Sequence, residues 1–483
     1  MIDFRPVGYI IGLLTVAFGV TMLVPFLVET LTEGGTEAGN FAISAMITVV
    51  IGGTLALASA NAKLDAMRIQ QIFLLTTLSW LVLPIFGALP FWLGAPHVSF
   101  TDAFFEAMSG MTTTGSTVFE GLDHMPRGTL LWRSMLQWFG GVGIIVVAMA
   151  FLPALKVGGM QIFRSEAFDT MGKVLPRAVE IATSIASIYL FLTVACMMSY
   201  VFVGMSFFDA LAHALTTVST GGFSTYDASF GKFQGAPEYV ASFFMILASI
   251  PFIRLVQFVN GSAKPLFRDT QIWAFLAVIF GLVFVLSAYR IAFEDHHYSI
   301  VFREAVFNVT SIISGTGYAS VDYQLWAPFS MTLFFLMGLV GGCAGSTCCS
   351  VKIFRYQLLY AAIVSQVKRI HSPHGVFTPR YQGHPVGEDV LSSVMSFFVA
   401  FMLTLASVAI ILSLLGLDPV TAISGAATAL ANVGPGLGTE IGPSGNFEHL
   451  PDTAKWVLAI TMLIGRLELL AVYVLFTAAF WRH

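Results

Sequence analysis

Apolar runs of about 20 residues recur from one end of this chain to the other, and each is long enough to cross a bilayer as a helix. Few architectures accommodate that. In hydrocarbon every backbone amide needs an internal partner, so such runs fold as a set of packed helices. Of the 483 residues, 57% are hydrophobic and 10% charged, whereas soluble domains carry roughly 25% charge. The fold class is therefore an all-α polytopic membrane protein without a soluble domain of any size. A net charge of −4 gives no reason to expect a nucleic-acid partner. Cys196, Cys343, Cys348 and Cys349 lie in apolar or glycine-rich surroundings, unlike the disulfide framework of a secreted chain. The first run, residues 7–28, exceeds a signal-peptide core and lacks a convincing cleavage site, so it is expected to stay as a membrane helix.

What interrupts the runs is also repeated. Met111-Thr-Thr-Thr-Gly-Ser-Thr, Val218-Ser-Thr-Gly-Gly-Phe-Ser, Ile313-Ser-Gly-Thr-Gly-Tyr-Ala and Ala431-Asn-Val-Gly-Pro-Gly-Leu are short loops rich in small residues. Aligning them on one glycine each puts Gly115, Gly222, Gly317 and Gly434 in register, at intervals of 107, 95 and 117 residues. After two helices at 7–28 and 41–60, the spacing predicts four units, each with a long helix, a short helix, a glycine loop and a second long helix. That gives ten spanning helices and four half-length ones. The short helices fall at 102–111, 207–218, 301–312 and 418–430. Thirteen residues before each glycine stand Asp102, Asp209, Glu304 and Thr421, three of them acids suited to the positive end of a helix. A helix of about 11 residues rises only about 16 Å, roughly half the hydrocarbon. It must re-enter, and its loop must line a watery cavity.

Lys and Arg set the expected orientation. With the N-terminus inside, fifteen fall on the inner side, among them Lys63, Lys156, Arg164, Lys173 and Arg177. Five fall outside: Arg127, Lys232, Arg290, Arg303 and Lys455. Both termini are then cytoplasmic and the glycine loops open outward. The polar stretch 365–389, with His371, His374 and His384, reads as a solvated cytoplasmic linker.

Helix C-termini carry partial negative charge and free carbonyls, so four converging half-helices suit a cation. A glycine lets the backbone turn its carbonyls inward, and a ring of carbonyls can replace the hydration shell of a monovalent ion. The candidate ring is Thr113, Thr114 and Gly115; Thr220, Gly221 and Gly222; Gly315, Thr316 and Gly317; Asn432, Val433 and Gly434. None is a carboxylate, which favours K⁺ or a similar ion over a divalent cation. Glu120, Asp227 and Asp322 stand five residues past their glycines and Glu440 six past, positions expected to ring the entrance and concentrate cations.

Two features lie below the loops. Residues 338–350 (Gly-Leu-Val-Gly-Gly-Cys-Ala-Gly-Ser-Thr-Cys-Cys-Ser) place small residues in the second helix of the third unit, where Gly341, Gly342, Gly345, Ser346 and Thr347 are expected to break the helix and form a gate. Arg466 lies mid-helix in the last run, where a charge must face the interior; near a cation pathway it is an electrostatic barrier. Glu468, two positions on, faces another way. Arg133 and Arg254 are expected to reach the interface by snorkelling.

Four membrane–pore–membrane repeats with one glycine per loop resemble the Trk/Ktr/HKT superfamily of K⁺ transport proteins. Within it, the bacterial TrkH/TrkG/TrkI branch is similar at Thr112-Thr-Thr-Gly115, Gln137-Trp-Phe-Gly-Gly-Val-Gly143, Gly158-Gly-Met-Gln161, Gly221-Gly-Phe-Ser-Thr225, Gly341-Gly-Cys-Ala-Gly-Ser-Thr347, Asn432-Val-Gly-Pro-Gly-Leu-Gly438 and Gly465-Arg-Leu-Glu468. The resemblance implies a pseudo-fourfold pore in each subunit of a homodimer, in the bacterial cytoplasmic (inner) membrane. It implies that the four glycines form a K⁺ filter, that 341–350 is an intramembrane gating loop, and that Arg466 blocks the path beneath. It also implies a TrkA-like cytosolic subunit that binds nucleotides; this chain has no nucleotide motif and no covalent cofactor is expected. The domains are then 1–66, two N-terminal helices; 67–155, 156–264 and 265–364, pore repeats one to three; and 365–483, linker and fourth repeat. Where the family continues Gly-Ser-Thr-Gly-Gly-Gly, this chain reads Gly345-Ser-Thr-Cys-Cys-Ser350. A second mechanism, K⁺ symport coupled to Na⁺ or H⁺, calls for an ionisable mid-membrane residue besides Arg466, and none is convincing. No metalloprotease, Ser–His or paired-aspartate pattern points to an enzyme.

Overall fold

The computed structural model describes residues 3–32, 37–62, 67–150, 159, 178–294 and 297–482. Lys63, Lys156, Arg164, Lys173, Arg177, most of Gly158–Gln161 and the boundaries at 66 and 155 lie outside the described residues. Among the described residues, six helices are long and apolar enough to cross a membrane: Arg5–Thr32, Ala38–Ala58, Ile69–Leu93, Ala182–Phe202, Thr270–Phe293 and Glu388–Leu414. Four half-length helices among the described residues, Phe100–Met111, Phe207–Val218, Tyr298–Ile313 and Pro419–Ala431, are exposed chiefly at their first turns and buried toward their C-terminal ends.

Each half-length helix packs on the long helix before it, on the helix after its loop, and on the post-loop helix of the preceding unit. Thus Phe207–Val218 contacts Ala178–Phe202, Ala236–Ala248 and Arg127–Ala150, and Pro419–Ala431 contacts Glu388–Leu414, Asp452–Arg466 and Pro328–Gly338. Phe100–Met111 completes the cycle by packing on Asp452–Arg466 of the fourth unit. The neighbour relation closes after four steps, so the four loops share a centre. The N-terminal helices stand outside this ring. Buried Glu29 joins them to it, accepting from Gly128 N at 2.9 Å in the first turn of Arg127–Ala150, where a carboxylate meets free amides.

The helices after the loops depart from ten simple spans. Arg127–Ala150 is 24 residues long but carries Arg127, Arg133 and Gln137. In the second unit the helix bends by 92° between Ala248 and Phe252, where Pro251 lacks an amide to continue the ladder. In the third, Pro328–Gly338 stops after 11 residues, and the chain runs through the glycine-rich segment before restarting as Ile353–His371. In the fourth, the helix bends by 103° after Arg466, with Glu468 and Leu469 at φ of +64° and +23°. The linker expected at 365–389 begins as the last two turns of Ile353–His371 and contains a small antiparallel hairpin pairing Arg380–Tyr381 with His384–Pro385.

Caps explain where the half-length helices begin. Ser99 Oγ accepts from Asp102 N and Ser206 Oγ from Asp209 N, both at 3.1 Å, and each hydroxyl donates to its aspartate at 2.8 Å. Asp418 takes the amides of Val420 and Thr421. Glu304 differs from the expected pattern. Its helix starts earlier, at Tyr298, so Glu304 lies beyond the first turn and is held by Arg290 at 2.8 Å. Ser206→Ala removes one cap at the cost of about 1 kcal/mol; thermal unfolding in detergent is expected to show a lowered midpoint, with Ser206→Asp near the parent.

Candidate functional site

The four loops share one backbone. Thr113, Thr220, Gly315 and Asn432 take left-handed φ of +50°, +52°, +71° and +53°, and Gly115, Gly222, Gly317 and Gly434, two residues on, take +86°, +82°, +81° and +108°. In every loop the intervening residue donates its amide five residues back: Thr114 to Ser109 O and Thr316 to Ser311 O at 2.9 Å, Gly221 to Thr216 O at 2.8 Å, Val433 to Thr428 O at 3.1 Å. This is a helix C-terminus closed by a left-handed residue, with one orphan carbonyl satisfied. A β-branched threonine in that conformation costs about 1–3 kcal/mol, so Thr113 and Thr220 are held there by their surroundings.

The glycines meet the carbonyls of the next loop. A methyl group on Gly115 would lie 2.3 Å from Gly221 O; on Gly222, 1.9 Å from Thr316 O; on Gly317, 1.9 Å from Val433 O; on Gly434, 2.8 Å from Thr114 O. Each contact passes to the next loop, and the fourth returns to the first. No side chain fits at these positions without parting the loops.

A second repeated device lies in the half-length helices themselves. Nine residues before the first three glycines stand Glu106, His213 and Asn308, all fully buried. Glu106 accepts from Thr117 Oγ1 at 3.0 Å and Val118 N at 2.9 Å. His213 Nε2 bonds Ser224 Oγ at 3.0 Å. Asn308 donates to Ser320 Oγ at 3.0 Å and accepts from Ser320 N at 3.2 Å. In the fourth unit Ser424, ten residues before its glycine, exchanges bonds with Leu437. Each half-length helix thus grips the outgoing limb of its own loop. The sequence signal is one polar residue per amphipathic helix, nine residues before the glycine in three units and ten in the fourth.

Outside the ring lies a polar cavity of about 340 Å³ with the four glycines among its lining residues. Glu120 and Asp227 are in its wall; Asp322 and Glu440, expected beside them, are not. Asp322 turns to cap Tyr323–Leu325, accepting from Gln324 N at 3.0 Å. The chain past the fourth glycine folds back through a Gly436 N to Ile441 O bond of 2.7 Å, leaving Glu440 exposed while 441–447 builds the wall. Asn446 donates to Glu120 at 2.9 Å and holds its carboxyl below the usual range, whereas burial and the bond to Glu120 push Glu448 up. Arg133 does not snorkel. It is 1% exposed, pairs with Glu106 at 2.7 Å and lines the cavity. Arg254 is likewise buried and pairs with Asp269 at 2.8 Å.

Inside the ring, residues 339–352 press against the loops. Ser350 N donates to Ala431 O at 2.8 Å, Cys348 Sγ meets Ser314 O at 2.6 Å, and Cys349 Sγ lies 3.5 Å from Thr113 Oγ1. The segment is tied to the break of the second unit by Phe252 N to Gly345 O at 2.9 Å and Thr347 Oγ1 to Ala248 O at 3.1 Å. Gly341 donates to Val351 O at 2.9 Å, and Gly342 to Cys348 Sγ at 3.0 Å; Ser346 Oγ turns back to Cys343 O at 2.7 Å. Gly345 and Ser350 take left-handed φ, whereas Cys348 and Cys349 do not, so the cysteines fit where the resemblance offers glycine. Arg466 donates to Thr347 O at 3.3 Å, Gly140 O at 3.2 Å and Cys349 Sγ, and among the described residues it has no carboxylate partner. Glu468 pairs instead with Arg355. Arg466, Lys352 and Glu468 all line a cavity of only about 30 Å³ on this covered side.

Fold and site together define a polytopic helical membrane protein whose half-length helices converge on a ring of glycine loops, open to a polar cavity on one side and covered on the other. This chain belongs to the TrkH family of cation transport proteins, whose model matches residues 37–483. The potassium uptake protein TrkI of Halomonas elongata is 42% identical over 480 residues, covering 99% of this chain and 97% of its own. The potassium uptake protein TrkH of Escherichia coli K12 is 36% identical over 487 residues, covering 99% and 100%. The crystal structure of the potassium transporter TrkH from Vibrio parahaemolyticus superposes with a TM-score of 0.91 at 34% identity, over the whole of both chains. The family is one of transport proteins, not enzymes.

Removing one partner of the buried Glu106–Arg133 pair leaves the other charge uncompensated, at a cost of about 3–5 kcal/mol. Glu106→Gln is therefore expected to lower the thermal midpoint and the yield of monodisperse protein far more than Glu120→Gln at the exposed cavity wall; size-exclusion chromatography and thermal unfolding in detergent measure both.

Proposed function

We propose that the protein carries K⁺ into the cell across the cytoplasmic membrane, through a filter formed by residues 113–115, 220–222, 315–317 and 432–434. The observation that carries this reading is the closed cycle of glycine-to-carbonyl contacts. Main-chain oxygens at the ends of four half-length helices suit a dehydrated monovalent cation, because the helix ends add negative potential without the strong hold of a carboxylate. The naming of the relatives as potassium uptake proteins points the same way. Membrane voltage supplies about 2.3 kcal/mol per charge for each 100 mV, enough for uptake without a coupling ion. Glu120 and Asp227 raise the local cation concentration at the outer mouth.

Residues 339–352 form the gate, including Gly341, Gly342, Gly345, Ser346 and Thr347, and Arg466 is the barrier under the filter. A guanidinium with only neutral partners repels a cation in a low-dielectric passage. Opening withdraws the segment from Ala431 and Ser314 and takes Arg466 off the axis. The physiological unit is a homodimer with both termini cytoplasmic, and a TrkA-like nucleotide-binding subunit on the inner face drives the gate.

Uptake of ⁸⁶Rb⁺ into K⁺-loaded liposomes tests the filter. The parent is expected to take up Rb⁺ and to be inhibited by external K⁺ at far lower concentration than by Na⁺. Gly222→Ala, at equal incorporated protein, is expected to lose at least about tenfold in uptake or in this preference; a variant with the parent's rate and preference would falsify the filter. Arg466→Ala is expected to raise basal Rb⁺ flux several-fold, and an equal or lower flux in correctly inserted protein removes the barrier role.

A further inference from the structure

The four loops are joined to their neighbours in four different ways. The fourth and first share Asn432 Nδ2 to Thr114 Oγ1 at 2.9 Å and Ser116 Oγ to Gly434 O at 2.8 Å. The third and fourth meet through Gln324, which accepts from Gly438 N at 2.7 Å. The second and third meet at the hydroxyls of Thr216 and Tyr318. The first and second meet through Leu122 N to Asp227 Oδ1 at 3.0 Å and Asp227 N to Asp123 Oδ2 at 3.2 Å, and, nearer the glycines, through a helix. Arg133 and Gln137 stand one turn apart on Arg127–Ala150, on the same face, and both are buried.

Gln137 spans Gly222. Its Nε2 donates to Gly221 O at 2.6 Å and its Oε1 accepts from Phe223 N at 3.0 Å. A methyl on Gly221 would lie 2.3 Å from Gln137 Oε1, so the glycine gives the amide its place. Arg133 continues the grip. Its Nη1 donates to Ser224 O at 2.9 Å, its Nη2 to Thr117 Oγ1 at 3.1 Å in the first loop, and its guanidinium lies over Phe223 at 4.2 Å. One helix of the first unit therefore holds residues 221, 223 and 224 of the second loop at a fixed distance from the first.

Among the described residues, Gly221 O alone of the four carbonyls facing the glycines accepts a side-chain hydrogen bond. A carbonyl bonded to an amide is fixed in direction and polarised, with one lone pair engaged, so it meets an ion on different terms from its three neighbours. Discrimination between two alkali ions rests on the number, spacing and field of the oxygens, and a bracket acting on one quarter of the ring alters all three.

We propose that Gln137 and Arg133 are specificity-determining positioning residues that set K⁺ against Na⁺ by fixing the second loop and polarising Gly221 O. This rests on the filter reading above. The test measures ⁸⁶Rb⁺ uptake by the full chain in K⁺-loaded liposomes, against increasing external Na⁺. Gln137→Leu, of similar volume but without donor or acceptor, is expected to lower the Na⁺ concentration that halves uptake about tenfold. Arg133→Lys, which keeps the charge opposite Glu106 but loses the forked bonds to Thr117 and Ser224, is expected to lower it by several-fold. A purely structural role predicts a lower thermal midpoint in both variants with the half-inhibiting Na⁺ concentration unchanged, and that result overturns the proposal. Should Gln137→Leu not insert, Arg133→Lys decides alone. If Gly222→Ala changes uptake or Na⁺ competition while Gln137→Leu and Arg133→Lys do not, the filter stands and this inference falls; if none of the three does, the filter reading falls as well.

Discussion

The contact on which the structure depends is that between a glycine in one loop and a main-chain carbonyl in the next. It occurs four times and closes on itself, so the position of each loop is a condition on its neighbours. Side chains at those four positions would force the loops apart, and the positive φ values would strain any other residue. Everything outside the ring brings four chain segments to one centre at that separation. Half-length helices aim the loops, caps fix where those helices start, and Glu106, His213, Asn308 and Ser424 hold the outgoing limbs.

The two faces of the ring are built from different materials. On the side of the larger cavity the wall is polar and partly acidic, and Arg133 enters it already neutralised by Glu106. On the covered side the cavity is small; Arg466, Lys352 and Glu468 line it, Arg466 with carbonyl and thiol partners and Glu468 paired with Arg355. Such an arrangement favours cations at one entrance and opposes them at the other, which suits a resting, closed state of the proposed pathway. The covering segment reaches the loops through main-chain bonds and two thiols, not ion pairs, so its release breaks several weak contacts and separates no buried charges.

The post-loop helices show how one repeat takes on different tasks. In the first unit the helix continues without a break and supplies Arg133 and Gln137 to the second loop. In the other three it breaks, at Pro251, after Gly338 and after Arg466. The breaks meet: the carbonyls and amides freed at 248–252 are taken up by 343–347, and Arg466 bonds to Thr347. Unsatisfied backbone of one unit is thus satisfied by that of another, as a non-helical segment within a membrane protein requires.

From the sequence alone followed the membrane class, the existence of four half-length helices, and the glycines on which their loops align. Those are local properties: run length, helix period and backbone conformational freedom are written in consecutive residues. The broken post-loop helices were only partly legible, because Gly338–Ser350 signals a break by composition, whereas the bend after Arg466 has no glycine or proline at its corner. Which acids face the larger cavity was not legible at matched offsets, since Asp322 turns to cap Tyr323–Leu325 and the Gly436–Ile441 bond folds Glu440 away. Nor was the burial of Arg133, whose partners Glu106 and Ser224 lie 27 and 91 residues away. Closure of the ring, the grip of one unit on the loop of the next, and the seat of Arg466 belonged to the tertiary structure. Each depends on atoms brought together across 84 residues or more, and only packing around the common centre decides which of them meet.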